Sequence, residues 1–189
     1  GDSGNRVILR IYNKYLKGKN DKRWRIEHAQ VVNENDFHFF SDYTIIPSVQ
    51  PTHATSDMYW AGDRLGSNRI KNAYAYQQLL QTNHWMPLGT DFPVEYLNPQ
   101  YTFYAAVSRQ DAAGFPANGF NKPEALSRMD ALKGMTIWAA KGQFEEKEKG
   151  SIEKGKWADF VVYDLDLLHD DLLKIRNSTP AETYSSGKQ

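Results

Sequence analysis

The chain has 189 residues, enough for one ordinary domain with a sizeable core. Lys plus Arg and Asp plus Glu both number 23, so the net charge is zero, which argues against nucleic acid or an anionic membrane as the main partner. Cysteine is absent, which excludes disulfides, thiolate metal sites and cysteine nucleophiles, and no apolar run is long enough to span a bilayer.

Gly1 to Gly4 lacks an initiator Met and the pattern of a signal peptide, so the chain is expected to start inside a longer protein, with its location left open. Val7, Ile8, Ile11, Tyr12, Tyr15 and Leu16 recur at helical spacing and predict an amphipathic helix ended by Gly18. Trp24 to His28 reads as a short strand, 35–41 as a short helix, and Tyr43 to Gln50 as a second strand that Pro47 weakens. Pro51 to Gly66 reads as a polar and aromatic loop. Asn68 to Thr82 reads as a helix with Ile70, Ala73, Tyr74, Gln77 and Leu80 along one side, and Trp85 to Thr90 as a third strand. Asn98 as cap and Pro99 in the first turn open a helix to about Gln110, followed by a Gly/Pro/Asn-rich loop. Ser127 and Asp130 form a capping box with Asp in place of Glu, opening a helix through about Phe144. Glu145 to Lys149 reads as an exposed charged linker. Beyond it come a turn-rich strand entry, a hydrophobic strand within Ala158–Tyr163, and a tail from Leu172 that is irregular or a last strand.

Alternating strands and helices imply an α/β fold, a parallel sheet covered by helices. His28 and Asp91 stand 63 residues apart with two crossovers between them. That is about two units of a (β/α)8 barrel, at roughly 250 residues for eight. In such barrels reactive groups sit where strands give way to loops, as both of these residues do. His28 offers a neutral ring nitrogen to a metal, or a hydrogen bond at a strand end. Asp91 offers a metal ligand and a proton acceptor, or a turn cap before Pro93. Gln50, His53, Thr55 and Asp57 follow the second strand, and His53 is placed to orient a substrate carbonyl or to line solvent. His53 and Asp57 would share a face if helical and could then chelate a metal, but Pro51 and the polar run favour a loop. Arg64, Arg69 and Arg109 offer an anion clamp or surface pairing.

At three segments the chain resembles the amidohydrolase superfamily, specifically the amidohydrolase 3 type that includes N-substituted formamide deformylases. They are Arg25-Ile26-Glu27-His28-Ala29-Gln30, Ser48-Val49-Gln50-Pro51-Thr52-His53 and Gly89-Thr90-Asp91-Phe92-Pro93-Val94-Glu95. Ala106 to Arg109, Thr136 to Ala140 and Gly150 to Phe160 continue the likeness along nearly the whole chain. The resemblance implies the C-terminal part of a (β/α)8 TIM-type barrel over residues 1–146, about strands six to eight, and over 147–189 part of a small composite β-sandwich. It implies a divalent metal, zinc first and iron, manganese or cobalt otherwise. His28 is then a ligand from the sixth strand. Asp91 is a ligand from the eighth and also the catalytic base. Substrate contacts fall to Gln50, His53 and Arg64.

The implied activity is hydrolysis of C–N, amide-type, non-peptide bonds in a small-molecule substrate by metal-activated water. The alternatives are a deaminase-type C–N hydrolase and a non-catalytic binding or structural module reusing a barrel half. The family's His-x-His is absent, and its fifth-strand motif matches only at Gly1-Asp2. The chain is therefore expected to be a fragment with at most two ligands, binding metal weakly and not turning over. Open strand edges predict self-association of the fragment, and the full-length protein is expected to be a homo-oligomer.

Overall fold

The computed structural model describes residues 1–189. Helix α1 (Asp2–Leu16) ends in left-handed Lys17 (φ 54°) ahead of Gly18 (φ 122°). The helix forms where the spacing predicts, but it turns a different face inward. Leu9 and Leu16 are buried, whereas Val7, Ile8, Ile11 and Tyr15 are exposed. Polar anchors choose this face: Asn5 Nδ2 donates to the Val31 carbonyl at 2.7 Å, and Arg6 pairs with buried Asp36 at 2.8 Å.

Strand β1 (Arg25–Glu27) leads through a 3-10 turn to α2 (His38–Tyr43) and then to β2 (Ile46–Ser48). The two strands pair in parallel, with Ile26 opposite Pro47. Pro47 is tolerated because strand donors alternate sides. The Ile46 N–H donates toward β1, to the Trp24 carbonyl at 2.9 Å, so the donor that Pro47 lacks would face the other way. On that side the expected third strand shrinks to one parallel bridge, Val49 with Leu88, because pairing begins only where Val49 N donates to Pro87 at 3.2 Å.

Pro51 to Gly66 is a correction. This stretch is not a loop but most of α3 (Pro51–Arg69), with Pro51 in its first turn and a break at Gly66 (φ 73°). A proline at that position needs no N–H and has φ preset for a helix. The helix expected over 68–82 is cut short. Its first part pairs with the chain after β1, through the Val31–Ala73 bridge and left-handed Tyr74 (φ 53°), and α4 starts only at Tyr76 (Tyr76–Asn83).

Helix α5 (Pro99–Ser108) has the expected cap, the Asn98 side chain accepting from Gln100 N at 3.0 Å. Ser127 caps α6 (Arg128–Met135), accepting from Asp130 N at 3.0 Å, and Thr136 breaks the predicted long helix before α7 (Ile137–Gly142). Last come β3 (Phe160–Val162), α8 (Leu172–Arg176) and β4 (Glu182–Tyr184). β3 and β4 pair antiparallel in a sheet separate from β1 and β2. The core lies between the parallel pair and the helices, around Phe40, Ile45, Val49, Ala54, Leu79, Met86 and Ala106. No helix is long and apolar enough to cross a membrane.

Candidate metal centre

Three chain segments end at one place. His28 directly follows β1, His53 sits in the first turn of α3 just beyond β2, and Asp91 follows the Leu88 bridge. One ligand atom from each of His28, His53 and Asp91 lies within 4.8 Å of the others. The two imidazole rings stand 5.6 Å apart, tilted by 44°. His28 (φ 69°), Ala29 (φ 41°) and Asp91 (φ 60°) are all left-handed. For non-glycine residues that conformation costs about 1–2 kcal/mol each, so it persists only where the surroundings impose it.

His53 is the buried member, and a carboxylate faces each of its ring nitrogens. Nε2 lies 3.2 Å from Asp91 Oδ2, and Nδ1 lies 3.4 Å from Glu95 Oε1. A neutral imidazole has one N–H and can satisfy only one of these carboxylates. Glu95 is itself held by the Ser56 hydroxyl, which donates to it at 2.6 Å. With the proton on Nδ1 toward Glu95, the Nε2 lone pair meets the Asp91 lone pairs. A cation between them would turn that repulsion into ligation, in the carboxylate–histidine–metal pattern. Two imidazoles and a carboxylate are also a donor set that suits zinc. The residues present therefore fit a divalent cation.

Residues 2–189 match the Amidohydrolase family, nearly the full chain. The chain belongs to that family. It is 36% identical over 196 residues to Protein LONG AFTER FAR-RED 3 of Arabidopsis thaliana, covering 100% of this chain and 32% of the relative. It is 25% identical over 186 residues to the N-substituted formamide deformylase of Arthrobacter pascens, covering 96% of this chain and 33% of that protein. Among solved structures it resembles an uncharacterized metal-dependent hydrolase from Pyrococcus horikoshii, with TM-score 0.79 and 28% identity over 91% of this chain and 34% of the other. This amidohydrolase chain thus spans about a third of the length of the relatives it matches.

The other sequence candidates divide. Gln50 is buried beside His53, with its Oε1 unpartnered and its backbone carbonyl accepting from the Tyr76 hydroxyl at 3.1 Å. The Thr52 hydroxyl is likewise buried and unpartnered. Arg64 is not brought to the cluster. It is exposed on α3, 11 residues beyond His53, roughly 16 Å along a helix that rises 1.5 Å per residue. Arg69 pairs with Asp2 at 2.9 Å instead of clamping an anion. Arg109 is fully buried behind Tyr76, its guanidinium 4.9 Å from that ring, and burial holds its pKa below the ordinary value.

The sequence assigns His53 to substrate and offers it as a ligand only in company with Asp57, whereas the structure groups it with His28 and Asp91. The four-residue spacing of His53 and Asp57 was the available signal, hidden by reading the segment as a loop. Glu95 was missed because its partner, Ser56, lies 39 residues away in sequence.

Proposed function

We propose that this chain is the C-terminal part of a metal-dependent amidohydrolase that cleaves C–N bonds, other than peptide bonds, in small amide-type molecules. The observation that carries the reading is the convergence of His28, His53 and Asp91 within 4.8 Å from three separate segments. Family membership and the likeness to a metal-dependent hydrolase support it. In this reading residues 1–146 are strands six to eight of a (β/α)8 barrel with their helices, and 147–189 are part of a small β-sandwich.

His28 and Asp91 hold the metal, with His53 as a third donor. A bound divalent cation, zinc by donor type, polarises a carbonyl oxygen and acidifies water. Asp91 would also accept a proton from water, as the base of the reaction. Gln50, three residues before His53 and with an unpartnered Oε1, would accept a hydrogen bond from a substrate N–H. Glu95, 3.4 Å from Nδ1, would take the His53 proton there and leave the Nε2 lone pair to the metal. The chain alone does not turn over, because its donors line one side of the site only.

Visible absorption during cobalt(II) titration tests the metal assignment. The chain is expected to give a saturating d–d band that His28→Ala, His53→Ala and Asp91→Ala each weaken. A band unmoved by all three substitutions rejects the site. For the reaction, the longer protein is assayed on N-substituted formamides. Asp91→Asn is expected to lower kcat by roughly 10⁴-fold, the scale of losing an essential group.

A further inference from the structure

We infer that Asp57 is a positioning residue that sets where His28 stands, through a half-buried clamp on Gln30. The inference rests on the reading of His28 as a metal ligand. Asp57 lies one helical turn beyond His53 on the same face of α3, yet it takes no part in the ligand cluster. Its Oδ2 instead accepts two hydrogen bonds, from Gln30 Nε2 at 2.7 Å and from the Tyr74 hydroxyl at 2.8 Å. Gln30 Nε2 also lies 3.1 Å from the Tyr74 oxygen, closing a three-membered network.

The same two residues are joined through the backbone. Tyr74 N donates to the Gln30 carbonyl at 2.7 Å, and Val32 N donates to Asn72 at 3.2 Å. Tyr74 is itself fixed, being 1% exposed, and burial pushes its phenol pKa up, so it stays a donor. The clamp thus grips the chain two residues past His28.

Between β1 and that grip lie only His28 and Ala29, both left-handed without being glycine. Nothing intrinsic to those residues favours such a turn, so it must be imposed from both ends. At the β1 end, Ala29 N donates to the Glu27 carbonyl at 2.9 Å. At the far end the only side-chain anchor on Gln30 is the Asp57–Tyr74 pair. One rigid helix therefore presents His53 directly and governs the His28 turn through Asp57, so the spacing of the two imidazoles is set by α3. Outer groups of this kind commonly change metal affinity by about 10- to 100-fold.

The test uses the whole 189-residue chain with Asp57→Ala and Asp57→Asn, since Asn keeps an acceptor oxygen for both donors. Amide hydrogen exchange is read at Tyr74, which bonds to Gln30, and at Leu79, which bonds to Ala75 in the core. Zinc affinity is read by chelator competition. Asp57→Ala is expected to lower protection at Tyr74 by roughly tenfold or more relative to Leu79, to shift the His28 ring resonances, and to weaken zinc by about 10- to 100-fold. Asp57→Asn is expected to restore all three.

Equal loss at Tyr74 and Leu79 would mark Asp57 as a general stabiliser and overturn the inference. So would unchanged protection at Tyr74, or an Asn variant that behaves like Ala. Zinc affinity unmoved by Asp57→Ala, in a chain whose affinity His28→Ala does lower, overturns it as well. If His28→Ala leaves zinc binding unchanged, the metal reading itself fails, while the exchange data still judge the clamp.

Discussion

Strands β2 and β3 are equally short and both apolar at their first residue, yet they have opposite fates. All of Ile46-Pro47-Ser48 is buried, whereas Phe160-Val161-Val162 has no buried residue, with Val161 45% and Val162 38% exposed. β2 lies between β1 and the Leu88 bridge and is covered by helices from this same chain. β3 has only β4 beside it. Beyond Gly150 the one buried residue is Ile175, on α8, which packs against α5. Apolar sequence becomes core only where the chain also supplies the opposing layer. The metal-centre end has that layer and can hold strained residues in place. The hairpin end leaves Val161 and Val162 partly in water.

The contrast predicts a large difference in mutational cost. Leu79→Ala, fully buried, is expected to destabilise by about 2–5 kcal/mol in urea unfolding, whereas Val161→Ala should cost about 0.5 kcal/mol or less. Similar costs for the two would erase the distinction between the regions. Glycines supply the next test. A Cβ on Gly134 would lie 2.5 Å from Leu88 Cγ and 3.1 Å from the Met86 carbonyl, whereas one on Gly155 (φ +95°) meets open space. Gly134→Ala is therefore expected to cost about 1–3 kcal/mol by overpacking, and Gly155→Ala about 1 kcal/mol from its left-handed backbone alone.

Between the two regions lies the pair Arg23–Glu146, with Arg23 donating to the two Glu146 oxygens at 2.8 and 2.7 Å. Arg23 also donates to the Lys141 carbonyl and lies 4.0 Å from the Phe144 ring centre. These hydrogen bonds push the Glu146 carboxyl down to about 2 from an ordinary 4.5. A carboxylate with a lowered folded-state pKa contributes its stability fully above the ordinary value and loses it as pH falls toward the lowered one. Thermal melts should therefore show wild type above Glu146→Gln by a constant margin beyond about pH 4.5, the margin shrinking as pH falls toward 2. Glu146 keeps 26% of its side chain exposed, so solvent screening holds the difference to about 1 kcal/mol.

That pair also shows what sequence alone could and could not convey. The run 145–149 reads as a solvated linker because nothing local marks Glu146 apart from its neighbours; its partner is 123 residues away. Signals that act over three or four residues were legible, namely the Asn98 and Ser127 caps and the strand-end positions of His28 and Asp91. Helix α3 was not. Its buried residues are Pro51, Thr52, His53, Ala54 and Ala61, all polar or small, so it lacks the stripe of large apolar side chains by which an amphipathic helix is recognised. Polar residues at helical spacing look like a loop until their partners are known, and Gln30 and Tyr74 are those of Asp57. The face of α1 was misjudged for the converse reason. Its apolar stripe is real, but Asn5 and Arg6 rotate it so that only Tyr12 and Leu16 of the stripe reach the core, beside Leu9.

The smallest expected effect on stability sharpens the contrast most. Ile152 is 88% exposed and Trp157 53% exposed, close in sequence to the half-open strand β3. Replacing Ile152 by Ser removes apolar surface that contributes nothing to the folded core, so the unfolding free energy should move by no more than about 0.5 kcal/mol. Surface of this kind beside an unpaired strand edge favours association between copies. The isolated chain is therefore expected to sediment as oligomers. Ile152→Ser together with Val162→Thr should shift it toward monomer at unchanged stability. A wild-type chain that is monomeric at high concentration contradicts the expectation. Oligomers that survive both substitutions would instead place the contact on the other uncovered apolar face, formed by Val7, Ile8, Ile11 and Tyr15 of α1.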